Sequence, residues 1–425
     1  MRFLLAAHPT VGHTNGLRAI GRRLLSRGHS VAFATTVTSP PRWLPVPGIV
    51  RTAAEIPGQL VRDGFDLVPL TTSLRALAHG AMVPVSRGYG ELHHALGMFG
   101  ADMVEHTRAL AAAIDARGID VVVADFLLFP ASLAARLRRR PFAAFYHSAL
   151  PFPVPGHPPF GSDLRHDAPR DAAWAEAERG YAGLVKSVQS TVARACRALA
   201  LPAPSLAMLE RPYSDDCNLL ATTRALEPGL PEMPAHTHFV GPCLDGRIED
   251  ERHPALDALR FDGVRVYLSL GTVFDTNHRA FEAILRGLDR PGVRVIVSAG
   301  SSYERLSRGR VSSNAVYFPR VPQLAVLREV DLMVTHGGNN STLETLAAGR
   351  PMIVVPFGGD QLANARRVET LGAGTAILPR QLRPATVSRA FESARACAAR
   401  AKELGVSLQG VDGTAASVEV LERLA

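Results

Sequence analysis

Short apolar runs recur along this chain, each followed by a segment of helix-forming composition. Arg2–Ala7, Val31–Thr35, Asp120–Ala124 and Phe142–Tyr146 read as strands in the first half. Val264–Leu270, Val293–Ser298, Asp331–Val334 and Pro351–Val355 read the same way in the second. Helices are expected at Asn15–Arg27 (closed by Gly28), Pro130–Arg139, Arg279–Leu288 and Thr342–Ala348. Strands that are apolar throughout are buried on both faces, and their alternation with helices implies parallel sheets with helices on either side. The expected fold class is therefore α/β, with two Rossmann-like, doubly wound domains.

The break between them falls in the region from Ala225 to Asp262. Glu227–Pro234 is rich in turn residues, and Ile248–Arg252 is a charged, solvated run. The expected domains are 1–240 and 241–425. The 425 residues suffice for two such cores.

The formal charge of +8 invites a nucleic-acid reading. Lysine occurs only at Lys186 and Lys402, however, and the arginines are scattered apart from Arg136–Arg140, which Leu137 interrupts. No nucleic-acid partner is expected. Cys196, Cys217, Cys243 and Cys397 lack metal-ligand or C-x-x-C spacing and are expected to be reduced, as in a cytoplasm. Met1–Ala7 is too short for a signal h-region, and no run reaches membrane-spanning length. A cytoplasmic protein without integral membrane contact is expected.

The densest chemistry lies in Val334-Thr335-His336-Gly337-Gly338-Asn339-Asn340-Ser341-Thr342-Leu343-Glu344, followed after one strand by Gly359-Asp360-Gln361. A strand, a Gly-Gly turn and a polar helix N-terminus present unpaired backbone N–H groups and the positive end of a helix dipole, which together bind phosphate. Each piece also has a structural explanation. Ser341-x-x-Glu344 is a capping-box pattern, and Asp360 suits an ordinary N-cap. The ordered combination favours a ligand site.

That combination resembles the nucleotide-sugar signature of the family 1 glycosyltransferases, the bacterial antibiotic and natural-product (macrolide-type) group in particular. His336, Gly338, Asn340, Ser341, Glu344, Asp360 and Gln361 occupy the positions of its pattern. The resemblance implies a GT-B fold, two facing domains with an interdomain cleft, the acceptor in the first domain and the donor in the second. It implies that a last helix, about 414–424, packs back on the first domain. His336 and the Gly338–Ser341 turn would hold the diphosphate, Glu344 the ribose, and Asp360 with Gln361 the hexose hydroxyls. Gly271-Thr272 after the Val264 strand stands where the family places a phosphate contact, so Thr272 joins the donor residues. The family's base-recognition point usually begins with tryptophan. Here it reads Arg320-Val321-Pro322-Gln323. An arginine plane stacks on a nucleobase, and Val321 and Gln323 offer hydrogen bonds to its edge.

In the first domain, Gly12-His13 follows the opening strand. Histidine, with an unperturbed pKa of about 6.5, accepts protons at neutral pH, and glycosyl transfer to a hydroxyl needs a group that removes the acceptor proton. The resemblance puts the general base at His13, with Asp125 orienting it, and Gly12 is counted among the donor contacts. His8 competes in position but lacks the Gly-His context. For the acceptor pocket, Phe99, Phe129, Tyr146, His147 and Phe152 are expected to line a lipophilic site, with 151–159 as an extended loop near it.

The expected activity is inverting transfer of a hexose, glucose before a deoxysugar, from a UDP sugar to a hydroxyl of a lipophilic small molecule. A dTDP-deoxysugar transferase and a catalytically silent, glycosyltransferase-like partner protein are the alternatives. No cofactor or metal is expected, since helix dipole and hydrogen bonds can carry the diphosphate charge. The expected assembly is a monomer or homodimer. A nicotinamide oxidoreductase is disfavoured because no G-x-G-x-x-G follows the opening strand.

Overall fold

The structure is a computed structural model. It describes residues 1–37, 48–83, 86, 88–165, 167–202, 209–244, 252–271, 277–309 and 311–424, the side chains of 48–52 excepted. The chain divides into two compact units, Met1–Asp245 with Val411–Ala425, and Gly246–Gly410. The first unit thus runs past the expected boundary at 240, and it takes in the end of the segment expected in 241–425.

The first unit runs β1 (Arg2–Ala6), α1 (Val11–Ser26), β2 (Ser30–Thr36), α2 (Gly48–Arg62), β3 (Asp66–Leu70), α3 (Leu74–Met82), α4 (Tyr89–Gly100) and α5 (Met103–Arg117). It continues with β4 (Val121–Asp125), α6 (Phe129–Arg138), β5 (Phe142–Tyr146), α7 (Ala172–Ala198), β6 (Cys217–Leu220) and β7 (Thr237–Phe239). Among the described residues these strands form one sheet in the order β3-β2-β1-β4-β5-β6-β7, every pair parallel. Leu4, Ala6, Val122 and Ala124 face one core, while Phe3, Leu5, Val121 and Val123 face the other. This two-sided burial is why the strands read as unbroken apolar runs.

The second unit holds α8 (Pro254–Ala258), β8 (Val264–Ser269), α9 (His278–Leu288), β9 (Val293–Ser298), α10 (Tyr303–Gly309), β10 (Ala315–Phe318), α11 (Gln323–Glu329) and β11 (Leu332–Thr335). After them come α12 (Asn339–Ala347), β12 (Met352–Val354), α13 (Gln361–Thr370), β13 (Gly374–Ala376), α14 (Pro384–Ala396) and α15 (Ala398–Ser407). Its described strands are also all parallel, in the order β10-β9-β8-β11-β12-β13. Phe281, Ile284, Leu285 and Leu288 of α9 pack on Val266, Leu268 and Val295 in its core.

The last helix, α16 (Gly413–Leu421), belongs to the first unit. Val418 and Leu421 join the cluster containing Phe3, Leu5 and Leu17. Just beyond it, Glu422 accepts two hydrogen bonds from Arg27, at 2.8 and 2.9 Å, and lies 2.8 Å from His29 Nε2.

Both sheets reverse their strand order once, between β1 and β4 in the first and between β8 and β11 in the second. Open parallel sheets bind ligands outside the strand carboxyl ends at such a reversal. The register pairs Ala6 with Ala124 and Ser269 with Thr335. The segments that follow these residues, His8–His13 with Asp125 and Gly271 with His336, therefore emerge side by side within their own units.

Candidate active site

In the first unit, β1 turns through His8 and Thr10 into α1, which places His13 in the first helical turn. Asp125 is the last residue of β4 and is fully buried. His13 Nδ1 and Asp125 Oδ2 are hydrogen-bonded directly. Asp125 Oδ1 accepts from the Leu127 backbone N–H at 3.0 Å and lies 3.2 Å from His147 Nε2. Burial alone raises the Asp125 carboxyl. The attraction of His13, then of His147, and the hydrogen bonds of both outweigh it, and the group is held well below the usual carboxylate range. An ionised carboxylate only accepts hydrogen bonds. His13 Nδ1 therefore carries the proton of this hydrogen bond, which leaves Nε2 as the nitrogen that can exchange a second one.

His13, Asp125 and His147 also bring three metal-ligating atoms within 4.8 Å of one another.

Of the residues expected to line an acceptor pocket, Phe99 meets the pair. Its ring stacks on His8 with centroids 3.7 Å apart and stands edge-on to His13 at 5.8 Å. His8 is buried, and that burial drives its pKa down to about 3, against the pull of Asp125. It is a neutral, apolar-packed ring rather than a competing base. The expectations for Phe129, Tyr146 and Phe152 are corrected. Phe129 packs among Leu133, Leu184 and Val188 in the core between α6 and α7. Tyr146 is buried against Phe126 and accepts from the Tyr213 N–H, and Phe152 lies edge-on to it in the same core. Tyr146 and Phe152 sit at the end of β5 and in the loop after it, where the apolar core claims them. His147 lies with the Asp125 pair instead, its ring centroid 4.4 Å from that of His13. The 151–159 loop contains neither helix nor strand and is tied to α7 by Tyr181, whose hydroxyl donates to the Pro151 carbonyl at 3.0 Å.

In the second unit, His336 follows β11 and Gly338 is the N-cap of α12. The helix starts three positions earlier than the Thr342 expected. Ser341 thus falls in its first turn, not at the cap, and the capping-box reading fails. Gly338 supplies no side-chain cap, and the first turn holds no acidic residue. The first-turn N–H groups of Asn339, Asn340 and Ser341 lack intrahelical acceptors, as at any helix start. An uncapped N-terminus of this kind favours an anion.

Two glycines hold His336 in place. A Cβ built at Gly271 would stand 2.5 Å from its Cε1, and one at Gly338 would stand 2.5 Å from its Nε2. The ring is thereby closely flanked by backbone, and desolvation pulls its pKa down to about 4. At neutral pH it is an uncharged imidazole, able to donate or accept one hydrogen bond per nitrogen.

Glu344 is buried and accepts from Gln323 Nε2. Gln323 Nε2 also reaches Ser341 Oγ at 3.3 Å, and Tyr267 donates to its Oε1 at 3.0 Å. The residue expected at the base edge therefore touches two residues expected at the ribose and diphosphate. Val321 is half-buried and Arg320 exposed in the loop after β10. Asp360 is the N-cap of α13 without capping it by its side chain, and Gln361 Oε1 accepts from the Phe357 N–H at 2.9 Å. Gly12 lies in the first turn of α1, in the first unit, away from the donor signature in sequence. Thr272 lies outside the described residues.

Two supports escaped the sequence reading. Asn364 donates to the Gly337 carbonyl at 2.8 Å, and the buried Arg367 donates to Asn339 Oδ1 and Asn364 Oδ1, both at 2.7 Å. They fix the Gly-Gly turn from behind. An arginine about two helical turns after Asp360-Gln361 was the available signal. Among the described residues, no helix is long and apolar enough to cross a membrane. The four cysteines are free.

Two all-parallel α/β units, each with chemistry at its strand reversal, define the GT-B glycosyltransferase fold. The solved glycotransferase of kitacinnamycin superposes with a TM-score of 0.73, covering 100% of this chain and 99% of its own at 23% identity. The family model described as UDP-glucoronosyl and UDP-glucosyl transferase matches residues 257–394, so the donor-signature unit is a relative of the family 1 glycosyltransferases. An uncharacterized UDP-glucosyltransferase, YojK of Bacillus subtilis, is 31% identical over 202 residues, 47% of this chain and 49% of its own. This alignment thus spans about half of that relative's length. The zeaxanthin glucosyltransferase of Pseudescherichia vulneris aligns over 88% of this chain and 85% of its own at 25% identity.

Proposed function

We propose that the chain is an inverting glycosyltransferase that moves a hexose, glucose before a deoxyhexose, from a UDP sugar to a hydroxyl of a lipophilic small molecule. The observation that carries this reading is the His13–Asp125 hydrogen bond, present in the same chain as a nucleotide-sugar signature. His13 Nε2 takes the acceptor hydroxyl proton as that oxygen attacks the anomeric carbon. The bond from that carbon to the diphosphate breaks with inversion, and the nucleoside diphosphate leaves with the electron pair. Asp125 holds the tautomer and stabilises the imidazolium that forms. The α12 N-terminus and His336 receive the charge of the leaving diphosphate. Glu344 takes the ribose hydroxyls, Asp360 and Gln361 the hexose. No metal enters this scheme, because the helix N-terminus supplies the positive field.

Arg320 at the base position supports a second reading, with a thymidine nucleotide as donor, since its plane stacks on either pyrimidine. Calorimetric titration with UDP and with dTDP, on wild type and on His336→Ala, decides between them. UDP binding that weakens in the variant supports the first reading, and selective dTDP binding the second. Binding of neither nucleotide by folded protein leaves a catalytically silent relative. Turnover unaffected in His13→Ala would remove the base assignment.

A further inference from the structure

Away from the Asp125 cluster, three imidazoles gather where α3 meets α4. His79 stands on α3, and His93 and His94 stand on α4. The ring centroids are 5.5 Å apart for His79 and His94, 5.7 Å for His93 and His94, and 6.4 Å for His79 and His93. His79 Nδ1 lies 3.3 Å from His94 Nδ1. Two nitrogens bonded to one tetrahedral ion at about 2.0–2.1 Å stand about 3.4 Å apart, and their rings about 5 Å apart. The spacing of the His79–His94 pair is already that of two ligands of one ion.

The close approach depends on Gly97, one helical turn beyond His93. A Cβ there would come within 2.5 Å of His79 Nδ1, so any side chain at 97 displaces the ring. His93 is exposed and His79 and His94 are half-buried, so the cluster is open to an ion from solvent.

We propose that His79, His93 and His94 form a binding site for a zinc-class divalent cation that ties α3 to α4. Imidazole suits zinc, copper and nickel. Water fills the remaining position, and His93 completes the set by turning about its side-chain torsions. The plainer arrangement, one N–H···N hydrogen bond between His79 and His94, uses two of the three rings and leaves the third without a role. The site is distinct from the proposed donor and acceptor residues. It bears on them through α4, whose Phe99 stacks on His8.

The test is titration of the full, tag-free chain with zinc alone, followed by calorimetry and by the visible absorption of cobalt(II) as a substitute. One saturable equivalent is expected, with micromolar or tighter affinity, lost in His79→Ala and in His94→Ala and weakened in Gly97→Ala. Zinc should raise the melting temperature of wild type and leave that of His79→Ala where it is. Equal melting temperatures of the two proteins without zinc show that the variant folds. Absence of saturable binding overturns the proposal, as does binding that survives both histidine substitutions. Binding lost instead in His147→Ala, with His79→Ala unaffected, overturns it too by placing the ion at Asp125.

Discussion

His147 Nε2 lies 3.2 Å from Asp125 Oδ1, while His13 is hydrogen-bonded to the other carboxylate oxygen. One buried carboxylate therefore serves two imidazoles. They are not equivalent, since the His13 side chain is 21% exposed and that of His147 only 6%. His13 meets solvent, and His147 holds Asp125 from the inner side.

On the proposed reaction, Asp125→Asn should lower kcat by about 1,000-fold or more, because an amide can present its N–H to His13 and invert the tautomer. His147→Ala should cost about tenfold or less, because Asp125 keeps His13 and the Leu127 N–H. Steady-state kinetics of both variants check the ranking. A larger loss in His147→Ala than in Asp125→Asn would make His147 the base.

Acid should destabilise the fold early. His8 and His336 have folded pKa values lowered to about 3 and about 4, against about 6.5 unfolded. The unfolded state then binds more protons between those limits, so stability rises with pH across the window and falls on acidification. The full contribution is present above about pH 6.5. Each unit below it removes up to about 1.4 kcal/mol per group. Urea midpoints between pH 7 and pH 5 measure this, and His8→Phe should flatten the slope.

Gly271→Ala and Gly338→Ala should each drive the His336 ring out of its place, since the new methyl would meet it at 2.5 Å. UDP affinity should fall by about tenfold or more in calorimetry. Gly292→Ala, where the left-handed backbone is strained but no ring is near, serves as the comparison and should leave affinity unchanged.

Gln323→Ala removes the donor to a buried Glu344 carboxylate. A hydrogen bond to a charged group contributes about 1.5–3 kcal/mol, so the urea midpoint of the second unit should fall. Nucleotide affinity should fall with it, because Glu344 loses the contact that orients it. A change in affinity with an unchanged midpoint would mean that Gln323 serves the ligand alone.

The central strands of both sheets were legible because they are buried on two faces, which leaves unbroken apolar runs, while β3, β6, β7, β10 and β13 toward the sheet edges were not read. Phe142–Tyr146 and Val293–Ser298 match to the residue. The start of α12 was not legible: Asn339, Asn340 and Ser341 are poor helix formers, and the Gly-Gly turn hides the fact that they already lie in the first turn. The His13–Asp125 contact joins residues 112 apart in sequence, and only the resemblance pointed to it. The acceptor side was read worst. An aromatic ring in a core and one in a pocket have the same composition, and Phe99 and Phe129 are told apart only by what packs on them.

The placement of α16 has a consequence for synthesis. Val418 and Leu421 complete a core that includes Phe3, Leu5 and Leu17, which leave the ribosome well before them. Until the last helix emerges, that apolar surface has no cover, while Gly246–Gly410 holds all of its own strands and helices and can fold as it appears. The first unit is therefore completed only after the second has been made, and until then the apolar face of α1 that α16 covers stays open.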